Sequence, residues 1–353
     1  MKNKYKGLNV EFHVLQSFPV TCLNRDDVNS PKTAMIGGVV RARVSSQSWK
    51  RQVRLAMHDF GINLAVRTKY VSELIQKAAI ELEATEEEAK NAGDIIEAVL
   101  SKDTLHFFSM TEAHALAEFA KEKNFQLDEK KDAKAIIKVH KEASMKGFEH
   151  LDGLDIALFG RMVAQSPDLN LEGAAVFSHA ISTHKVSNEI DFFTALDDAK
   201  PVDDVDSGSS HMGTLEFNSA TYYRYIALDI GQLVENLGGD EHLDTAIAAF
   251  IKALYVAVPI ARQKTQSGSS SWDFAKVYIR KGQRLQASFD EPVRAKGEGY
   301  AKPSIDALTS FLEKKEKLSG SLFGKISDFS WGLDDSFSID DLITAVIESV
   351  KKV

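Results

Sequence analysis

Alternating hydrophobic and polar positions predict two strands near the start of the chain. Residues 7–16 alternate apolar with polar side chains, which is typical of a strand with one buried face. Residues 39–44, VVRARV, follow the pair Gly37–Gly38 and form a β-branched run that predicts a second strand. The intervening residues 17–38 are predicted to be a loop, and a loop of that length in a compact domain is usually functional.

A helix is predicted directly after the second strand. Ser45 and Ser46 suit the N-cap position, because a serine hydroxyl accepts a hydrogen bond from a free first-turn N–H. At about 100° per residue, the next positions separate into two faces. The apolar face contains Trp49, Val53, Ala56 and Met57. The opposite face contains Gln47, Lys50, Arg51 and Arg54.

The second face places cations at a helix N-terminus, where unpaired N–H groups and the helix dipole favour an anion. Arg41 and Arg43 add two cations from the strand, and no acidic residue lies between Thr33 and Met57. This pattern suits a phosphate backbone. An ordinary amphipathic helix with a solvated basic face is an equally good interpretation of this stretch alone.

The rest of the pattern predicts a large helical insertion and a return to strands. Apolar residues at three- and four-residue spacing predict helices at 71–82, 95–100, 110–123 and 132–145. Residues 151–163 are predicted to be extended, and 173–186, 214–228 and 275–285 to be strands. A helix is predicted at 240–258, ended by Pro259, with one or two more at the C-terminus. The acidic, Ser/Gly-rich residues 197–210 are predicted to be mobile.

This order of elements predicts an α+β protein. Strand, basic helix, helical insertion, strands, second helix and final strand form a split β-α-β arrangement with an insertion. Such an arrangement fits a ferredoxin-like or RNA-recognition-type core and does not fit a doubly wound parallel sheet.

Composition limits the class of protein. The chain has 353 residues, 44% of them hydrophobic and 27% charged, which is typical of a globular protein with a proper core. Cys22 is the only cysteine, so an internal disulfide is impossible and a thiolate zinc site implausible. No apolar run is long enough to span a membrane and no signal peptide is evident, so we expect a cytoplasmic protein. The net charge is −8, but bases concentrate at 25–54 and 262–284, and the local field governs binding.

Motifs for catalysis are scarce. The sequence contains no GxxxxGK[ST], GxGxxG or HExxH pattern, and we expect no cofactor. His179 and His184 are five residues apart on a predicted strand, so they face opposite sides and make a poor metal pair. Asp26 and Asp27 could hold a metal that cleaves RNA, but a turn in which aspartate bonds its own backbone is the simpler interpretation.

Some apolar side chains stand where core residues are less expected. They lie beside glycines or flexible segments and are Met162, Phe192, Phe193 and Met212. Apolar side chains presented in this way wedge between bases or stack on them.

The residues together resemble a known family. TCLNRDDVNSPKTAMIGG followed by VRARVSSQSWKR is similar to the signature of the CasC-type crRNA-binding backbone subunit of the type I-E CRISPR Cascade complex, within the repeat-associated RNA-binding superfamily. LDIALFGRM, AVFSHAISTHKV, DFFTALDD, HMGTLEFNSATYYRY and VPIARQKT agree with it in the same order. The likeness is weakest in the helical insertion and after Gly282.

The resemblance implies a hand-shaped α+β protein. Its palm has an RNA-recognition/ferredoxin-like fold, here at 1–55, 171–190 and 221–353. A large helical insertion, the fingers, corresponds to 56–170, and a β-hairpin thumb corresponds to 191–220. Copies of such subunits oligomerise along the crRNA, and the thumb of one copy kinks the RNA over the palm of the next. Here the acidic thumb tip departs from the family pattern.

The resemblance also implies roles for particular residues. Those expected to hold the guide backbone are Lys32, Ser45, Gln47, Lys50 and Arg54, with Arg25 as a helper and Arg51 on the same helix face. Met162 and Met212 match the apolar wedges, with Phe193, Thr194 and His211 nearby on the thumb. Arg262 and Lys264 match a basic loop.

The implied function is non-catalytic binding of crRNA as the backbone of a CRISPR surveillance complex. The expected partners are the crRNA, the target DNA strand paired to it, further copies of the chain, and the large, small, head and foot subunits of Cascade, with no membrane and no metal. One alternative is a metal-dependent relative that cleaves target RNA with Asp26 or Asp27. Another is a cytosolic metabolic enzyme with an anion-binding helix.

Overall fold

Antiparallel strand pairing connects the two ends of the chain in one sheet. The computed structural model describes residues 3–100, 105–149, 151–162, 170–195, 211–295, 297 and 299–353, with the backbone alone at 145–149, 195, 211 and 212. The strands are β1 (Leu8–Thr21), β2 (Thr33–Ile36), β3 (Val39–Val44), β4 (Val66–Thr68), β5 (His106–Phe108), β6 (Ala175–Phe177), β7 (Ala180–Ser182), β8 (Glu189–Ala195), β9 (His211–Asp229), β10 (Phe274–Lys281) and β11 (Lys325–Trp331). The helices are α1 (Ser46–Ala56), α2 (Val71–Glu81), α3 (Glu86–Leu100), α4 (Met110–Glu122), α5 (Ala133–Glu149), α6 (Leu154–Phe159), α7 (Ile230–Leu237), α8 (Leu243–Val256), α9 (Gln263–Gln266), α10 (Ala301–Ser319) and α11 (Ile339–Lys351).

The sheet has the order β11-β10-β1-β9-β7-β3-β2, and β6 and β8 also pair with β9. The four strands β10-β1-β9-β7 and the helices α1 and α8 form the split β-α-β core that the element order predicts. The α+β class, with an RNA-recognition-like sheet, a helical insertion and a β-hairpin, is therefore confirmed.

The central strand β1 is buried on both faces, whereas its alternating sequence predicts one buried face. Phe12 packs against Phe250 of α8 on the helix side. On the other side, Leu15 lies in a cluster with residues of α10 and of the irregular segment 283–294, which we call the strap. The alternation was misleading because Glu11 and His13, polar in the sequence, are buried beneath this second layer.

Glu11 and His13 of β1 both have hydrogen-bond partners within that layer. Both carboxylate oxygens of Glu11 are used: Oε1 accepts from Arg280 Nε at 2.7 Å, and Oε2 accepts from the hydroxyl of Tyr225 at 2.9 Å. His13 Nδ1 lies 2.9 Å from the hydroxyl of Tyr223. These bonds offset the cost of removing the groups from water.

The strap crosses the sheet from β10 towards β2. Its backbone N–H groups bond Glu11 at Leu285, the Tyr223 hydroxyl at Ala287, and the Thr183 carbonyl at Val293. The guanidinium of Arg41 donates to Ser182 O and Phe289 O, both at 2.7 Å. Arg41 is fully buried, so its expected contribution to a cationic surface is wrong: the strap covers the face of β3 to which it points.

The glycine pair before β3 forms the two-residue turn of the β2–β3 hairpin. Gly37 and Gly38 both have positive φ, 59° and 74°, as a primed hairpin turn requires. A Cβ on Gly37 would lie 1.7 Å from the carbonyl oxygen of Asp290 in the strap. A side chain there would therefore push the strap away.

The helical insertion has an apolar core of its own, with members that include Val71, Ile75, Ile96, Leu116 and Ile136. The predicted helices at 71–82 and 110–123 match α2 and α4 closely. Helix α3 begins at Glu86 and not near 95, because the small residues Ala89, Ala92 and Gly93 pack against α2. The predicted domain boundaries themselves stay predictions.

Several other elements differ from the sequence prediction. The predicted loop 17–38 contains the end of β1 and all of β2, and the segment 151–163 contains helix α6 instead of an extended chain. Gly153 and Gly160, both with positive φ, close that short helix at each end. Strand β11 was not predicted, since its pairing with β10 is non-local. The predicted mobile segment 197–210 lies outside the described residues.

Within the described part of the chain, no helix is both long and apolar enough to cross a bilayer.

Burial of His13 predicts sensitivity to acid. Burial, and then the charges of Arg280 and Lys276, lower the pKa of His13 to about 3. Between pH 6.5 and 3 the unfolded chain therefore binds a proton there that the folded chain does not, so stability is complete above pH 6.5 and falls as the pH falls. Lowering the pH from 7 to 5 should cost about 2 kcal/mol of unfolding free energy at this one site.

The variant His13→Gln should lose that share of the pH dependence in urea unfolding followed by circular dichroism at pH 7 and pH 5. His58→Gln, at an exposed position, controls for the loss of an imidazole. Equal pH dependence in His13→Gln and the unmodified chain would contradict the prediction.

Candidate nucleic-acid interface

Helix α1 begins as its sequence predicts. The Ser45 hydroxyl accepts from Ser48 N at 3.3 Å, and Ser45 N donates to Asn24 Oδ1 at 3.0 Å. Ser45 is thus the N-cap, and its side chain is almost fully buried. Trp49 and Val53 are buried while Gln47 and Arg51 are exposed, so the predicted division into two faces is confirmed for these positions.

The buried cation Arg224 packs against the apolar face of α1. The guanidinium of Arg224 lies 3.7 Å from the centre of the Trp49 ring, and its Nη1 donates to Gln16 Oε1 at 2.6 Å. Burial lowers the pKa of Arg224 to about 9, which leaves it charged at neutral pH. The contact fixes the anchoring face of α1 and adds positive charge beneath it.

Basic side chains from three segments meet at the N-terminus of α1. Pairing of β3 with β7 brings His179 close, with Nδ1 3.4 Å from both Ser46 N and Arg43 Nη1. Burial, and then the charges of Arg43 and Lys32, lower the pKa of His179, so a neutral ring accepts these bonds. Lys50 lies 5.9 Å from the ring centre of Phe177, two residues before His179.

We call this surface the α1 basic cluster and define it as Lys32, Arg43, Lys50, Arg51 and the neutral His179. Gln47 is exposed on the same helix face. The ammonium of Lys50 is partly desolvated by burial, which lowers the pKa of Lys50. A partly desolvated cation gains more from an arriving phosphate than one in open water, because water screens the attraction less.

From the sequence, Arg43 belongs to the cationic pattern, but His179 has no predicted role in binding. The sequence placed His179 on a strand but gave no partner for it. Only the non-local pairing of β3 with β7 brings the two side chains together. The available signal was weak: a histidine directly before the short strand β7, whose partner strand the sequence did not give.

The loop before β2 is an ordered turn. Asp26 Oδ1 accepts from Val28 N at 3.0 Å and Ser30 N at 2.9 Å, as in the turn interpretation of this pair. Arg25 is exposed and donates to Asn29 Oδ1 at 3.1 Å. Asp27 is exposed. Among the described residues, no group of three or more His, Cys, Asp or Glu side chains is arranged to hold a metal.

The second basic segment approaches the same loop. Burial raises the pKa of the Cys22 thiol, and the charges of Arg262 and Arg25 both oppose this rise, so both guanidinium groups lie near this residue. Lys264, on the short helix α9, is exposed. Arg25, Arg262 and Lys264 therefore extend the positive surface from the loop towards α9.

Arg54 differs from the other cations of α1. Its Nε lies 2.5 Å from Asp155 Oδ2, it also donates to the Ala65 carbonyl, and only 13% of its side chain is exposed. Burial raises the pKa of Asp155, and Arg54 opposes that rise. The expectation that Arg54 belongs to the open cationic face is wrong, because periodicity gives its direction but not the segment that packs there. Arg54 ties α1 to α6.

In the thumb hairpin, formed by β8 and β9, an aromatic side chain packs over a glycine of the opposite strand. Strands β8 and β9 pair Phe193 with Gly213, Thr194 with Met212 and Ala195 with His211. A Cβ on Gly213 would lie 2.5 Å from Cζ of Phe193, so the ring lies directly over the glycine. Phe192 points to the other face, since neighbouring strand residues alternate, and is 61% exposed.

The base of the hairpin contacts the loop before β2. Asn188 Nδ2 donates to Pro31 O at 3.4 Å, and Asn218 Nδ2 donates to Asn188 Oδ1 at 3.1 Å. Beyond these contacts, β9 continues into the centre of the sheet.

Met162, the fourth apolar residue predicted from the sequence to contact RNA bases, lies just after α6 and is 79% exposed.

The sheet face that RNA-recognition folds use for base stacking is closed in this chain. In those folds, aromatic side chains on the central strands stack on bases. Here Tyr223, Tyr225 and Tyr278 surround His13 and are buried under the strap and α10. The exposed basic surface lies instead at the β3–α1 edge.

Comparisons with known proteins agree with this architecture. A family model described as "CT1975-like protein" matches residues 10–335. A chain of a solved structure described as "CRISPR RNA-guided surveillance complex, pre-nicking" is 26% identical, with a TM-score of 0.80 over 97% of this chain and 100% of that chain. A chain of another, described as "CRISPR RNA-guided surveillance complex", is 24% identical, with a TM-score of 0.61 over 97% of this chain and 99% of that one, and shows the fold alone. A comparison with curated protein sequences gave no match.

The fold and the exposed basic edge define an RNA-recognition-like protein with a helical insertion and a hairpin. The chain belongs to the CT1975-like family of CRISPR-associated proteins. The resemblance to Cascade backbone subunits that the sequence carries is thereby confirmed. Its assignment to type I-E stays a prediction.

The Arg54–Asp155 pair predicts a large stability effect from one member of the cationic helix. Arg54→Ala leaves the fully buried Asp155 carboxylate without its counter-ion, and breaking a buried pair in this way costs about 3–5 kcal/mol. Arg51→Ala, on the same helix but exposed, should change stability by less than about 0.5 kcal/mol. Urea unfolding at pH 7 measures both, and Asp155→Asn should restore part of the loss in Arg54→Ala. Equal stability of the two single variants would contradict the assignment of Arg54 to a structural pair.

Proposed function

We propose that this chain binds a guide RNA, the crRNA, along the α1 basic cluster and serves as the backbone subunit of a CRISPR RNA-guided surveillance complex. The observation that carries the proposal is that the half-buried cations Lys32, Arg43 and Lys50 lie around the start of α1, with Arg51 exposed on the same helix, while the usual RNA-binding sheet face is buried. The family and the similarity to subunits of surveillance complexes support it.

The proposed contact is with the RNA backbone. The cations of the cluster, the exposed amide of Gln47 and the neutral His179 offer charge and hydrogen bonds but no pattern that matches the edges of bases. Contacts with phosphate and sugar position a strand without reading its sequence. A guide carries an arbitrary spacer sequence, so its holder must bind without preference, and base pairing with the target strand supplies the specificity.

Base contacts are assigned to apolar side chains. Phe193, whose ring lies over Gly213, and the exposed Met162 present surfaces that tolerate every base, and the predicted positions Thr194, Met212 and His211 follow on the same hairpin. In this proposal they interrupt the stack at intervals, and the phosphate contacts hold the segments between them ready to pair with a target DNA strand.

The proposal extends to assembly. Further copies of the chain follow one another along the crRNA, and the large, small, head and foot subunits of a type I-E Cascade complete the assembly in the cytoplasm. A backbone-binding edge supports repetition, because each copy needs only a few nucleotides of any sequence.

We also propose that the chain is not an enzyme. One oxygen of the Asp26 carboxylate, Oδ1, accepts two backbone N–H groups of its own turn, which fixes the side chain to that turn and supports a structural role. With Mg²⁺ and a target RNA paired to the bound guide, the unmodified chain and Asp26→Ala/Asp27→Ala should leave the target equally intact on a denaturing gel. Cleavage by the unmodified chain that the double variant lacks would favour the RNA-cleaving alternative.

Guide binding is tested with Lys50→Ala/Arg51→Ala and unrelated single-stranded RNAs across a salt series. The log–log slope for single strands is about −0.7 per phosphate neutralised, so loss of two contacts should reduce its magnitude by about 1.4 and weaken binding equally for every sequence. Fluorescence anisotropy measures both quantities.

The matched control is Lys314→Ala/Lys317→Ala, which removes the same charge from exposed positions on α10. It should keep the slope of the unmodified chain. If both double variants lose the same affinity and slope, the effect is one of net charge and the α1 basic cluster is not the RNA site.

A further inference from the structure

Met162 directly follows Arg161, a residue at which the chain after α6 pairs with a later segment. Arg161 exchanges two backbone hydrogen bonds with Leu171, of 2.9 and 2.8 Å. Gly160 has a φ of 82°, and a Cβ there would lie 2.8 Å from Leu171 O. The backbone is therefore held in place at Arg161, the residue immediately before Met162.

The side chain of Arg161 points into the helical insertion. Its Nη1 donates to Glu112 Oε1 at 2.7 Å, and its Nη2 donates to Ser144 Oγ at 3.1 Å. Only 6% of Arg161 is exposed, against 79% of Met162. Because neighbouring residues of an extended bridge point to opposite sides, holding Arg161 inward turns Met162 outward.

The acceptor of this pair is itself held firmly. Glu112 Oε2 accepts from Ser109 N at 2.8 Å, and the Ser109 hydroxyl accepts from Glu112 N at 3.1 Å, which is a capping box at the start of α4. His140 Nε2 lies 3.2 Å from Glu112 Oε1, and the His140 ring stacks on Phe108. Burial alone would raise the pKa of Glu112, but His140 and Arg161 together hold it below its ordinary value.

Stability alone does not explain this arrangement. A buried ion pair is often no more stabilising than apolar residues of the same volume, because both charges lose their hydration. The insertion already has an apolar core that includes Ile136 and Leu116. What the pair does supply is a fixed direction for the segment that carries Met162.

We propose that Glu112 and Arg161 are positioning residues for base contact, acting through the orientation of Met162 and touching no RNA themselves. This inference rests on the proposed RNA-binding function. It identifies the ion pair that orients Met162, one of the apolar side chains assigned to base contact. It implies that base unstacking and phosphate binding are separable in this chain.

The test uses single-stranded RNA with one 2-aminopurine, whose fluorescence rises when its base leaves the stack. The variants are Met162→Ala, Glu112→Gln and the two combined. Glutamine still completes a capping box but removes the charge that holds Arg161. Met162→Ala should reduce the unstacking equilibrium by about fivefold, as expected for the loss of one base contact. Glu112→Gln should reduce it equally, and the combined variant no further, while the salt slope of binding stays unchanged.

Ile136→Val is the matched control, since it loosens the same buried core without touching the ion pair. It should keep the full fluorescence rise. Ser144→Ala, which removes only the Nη2 bond, decides the case if Glu112→Gln does not fold, and it should give a smaller loss in the same direction.

A full fluorescence rise in folded Glu112→Gln, or in Met162→Ala, would overturn the inference, as would equal losses in Glu112→Gln and Ile136→Val. If Ser144→Ala has to decide the case, an unchanged signal there overturns it as well. Failure of the unmodified chain to bind RNA at all is a separate outcome, which would overturn the proposed function.

Discussion

Burial of β1 on both faces is the constraint on which the rest of the structure depends. An antiparallel sheet commonly leaves one face to solvent, and RNA-recognition folds use that face for nucleic acid. Here the strap and α10 occupy it. Glu11 and His13 therefore need partners inside the protein, and Arg280, Tyr225 and Tyr223 supply them.

Closing the sheet face moves the accessible chemistry to the β3–α1 edge. The same strap that buries the tyrosines also takes Arg41 out of the basic surface, while its strand neighbour Arg43 remains beside His179. Two arginines of one strand, two positions apart, thus have different roles, one structural and one at the surface. The contact between Trp49 of α1 and Arg224 of β9 then fixes the position of α1 on the sheet, and with it the position of the exposed cations of α1.

Two buried ion pairs connect the helical insertion to this edge. Arg54–Asp155 links α1 to α6, and Arg161–Glu112 links the end of α6 to α4. Helix α6 is short and lies between them, so the insertion and the palm are joined through charged contacts as well as apolar ones. In this arrangement the orientation of Met162 depends on residues deep in the insertion.

Local patterns determined much of this protein. The strand at 39–44, the Ser45 cap, the two faces of α1 and the helices α2 and α4 followed from hydrogen-bonding and periodicity rules that act within a few residues. The family resemblance also lay in the sequence, because its motifs are long and ordered. What the sequence did not determine was the partner of each polar side chain. Arg41, Arg54 and Arg43 look alike in a linear pattern, yet one lies under the strap, one pairs with Asp155 and one faces the surface. Non-local contacts between β3, β7, α6 and the strap made that division, because burial and charge pairing depend on which distant segment packs against a side chain and not on its neighbours along the chain.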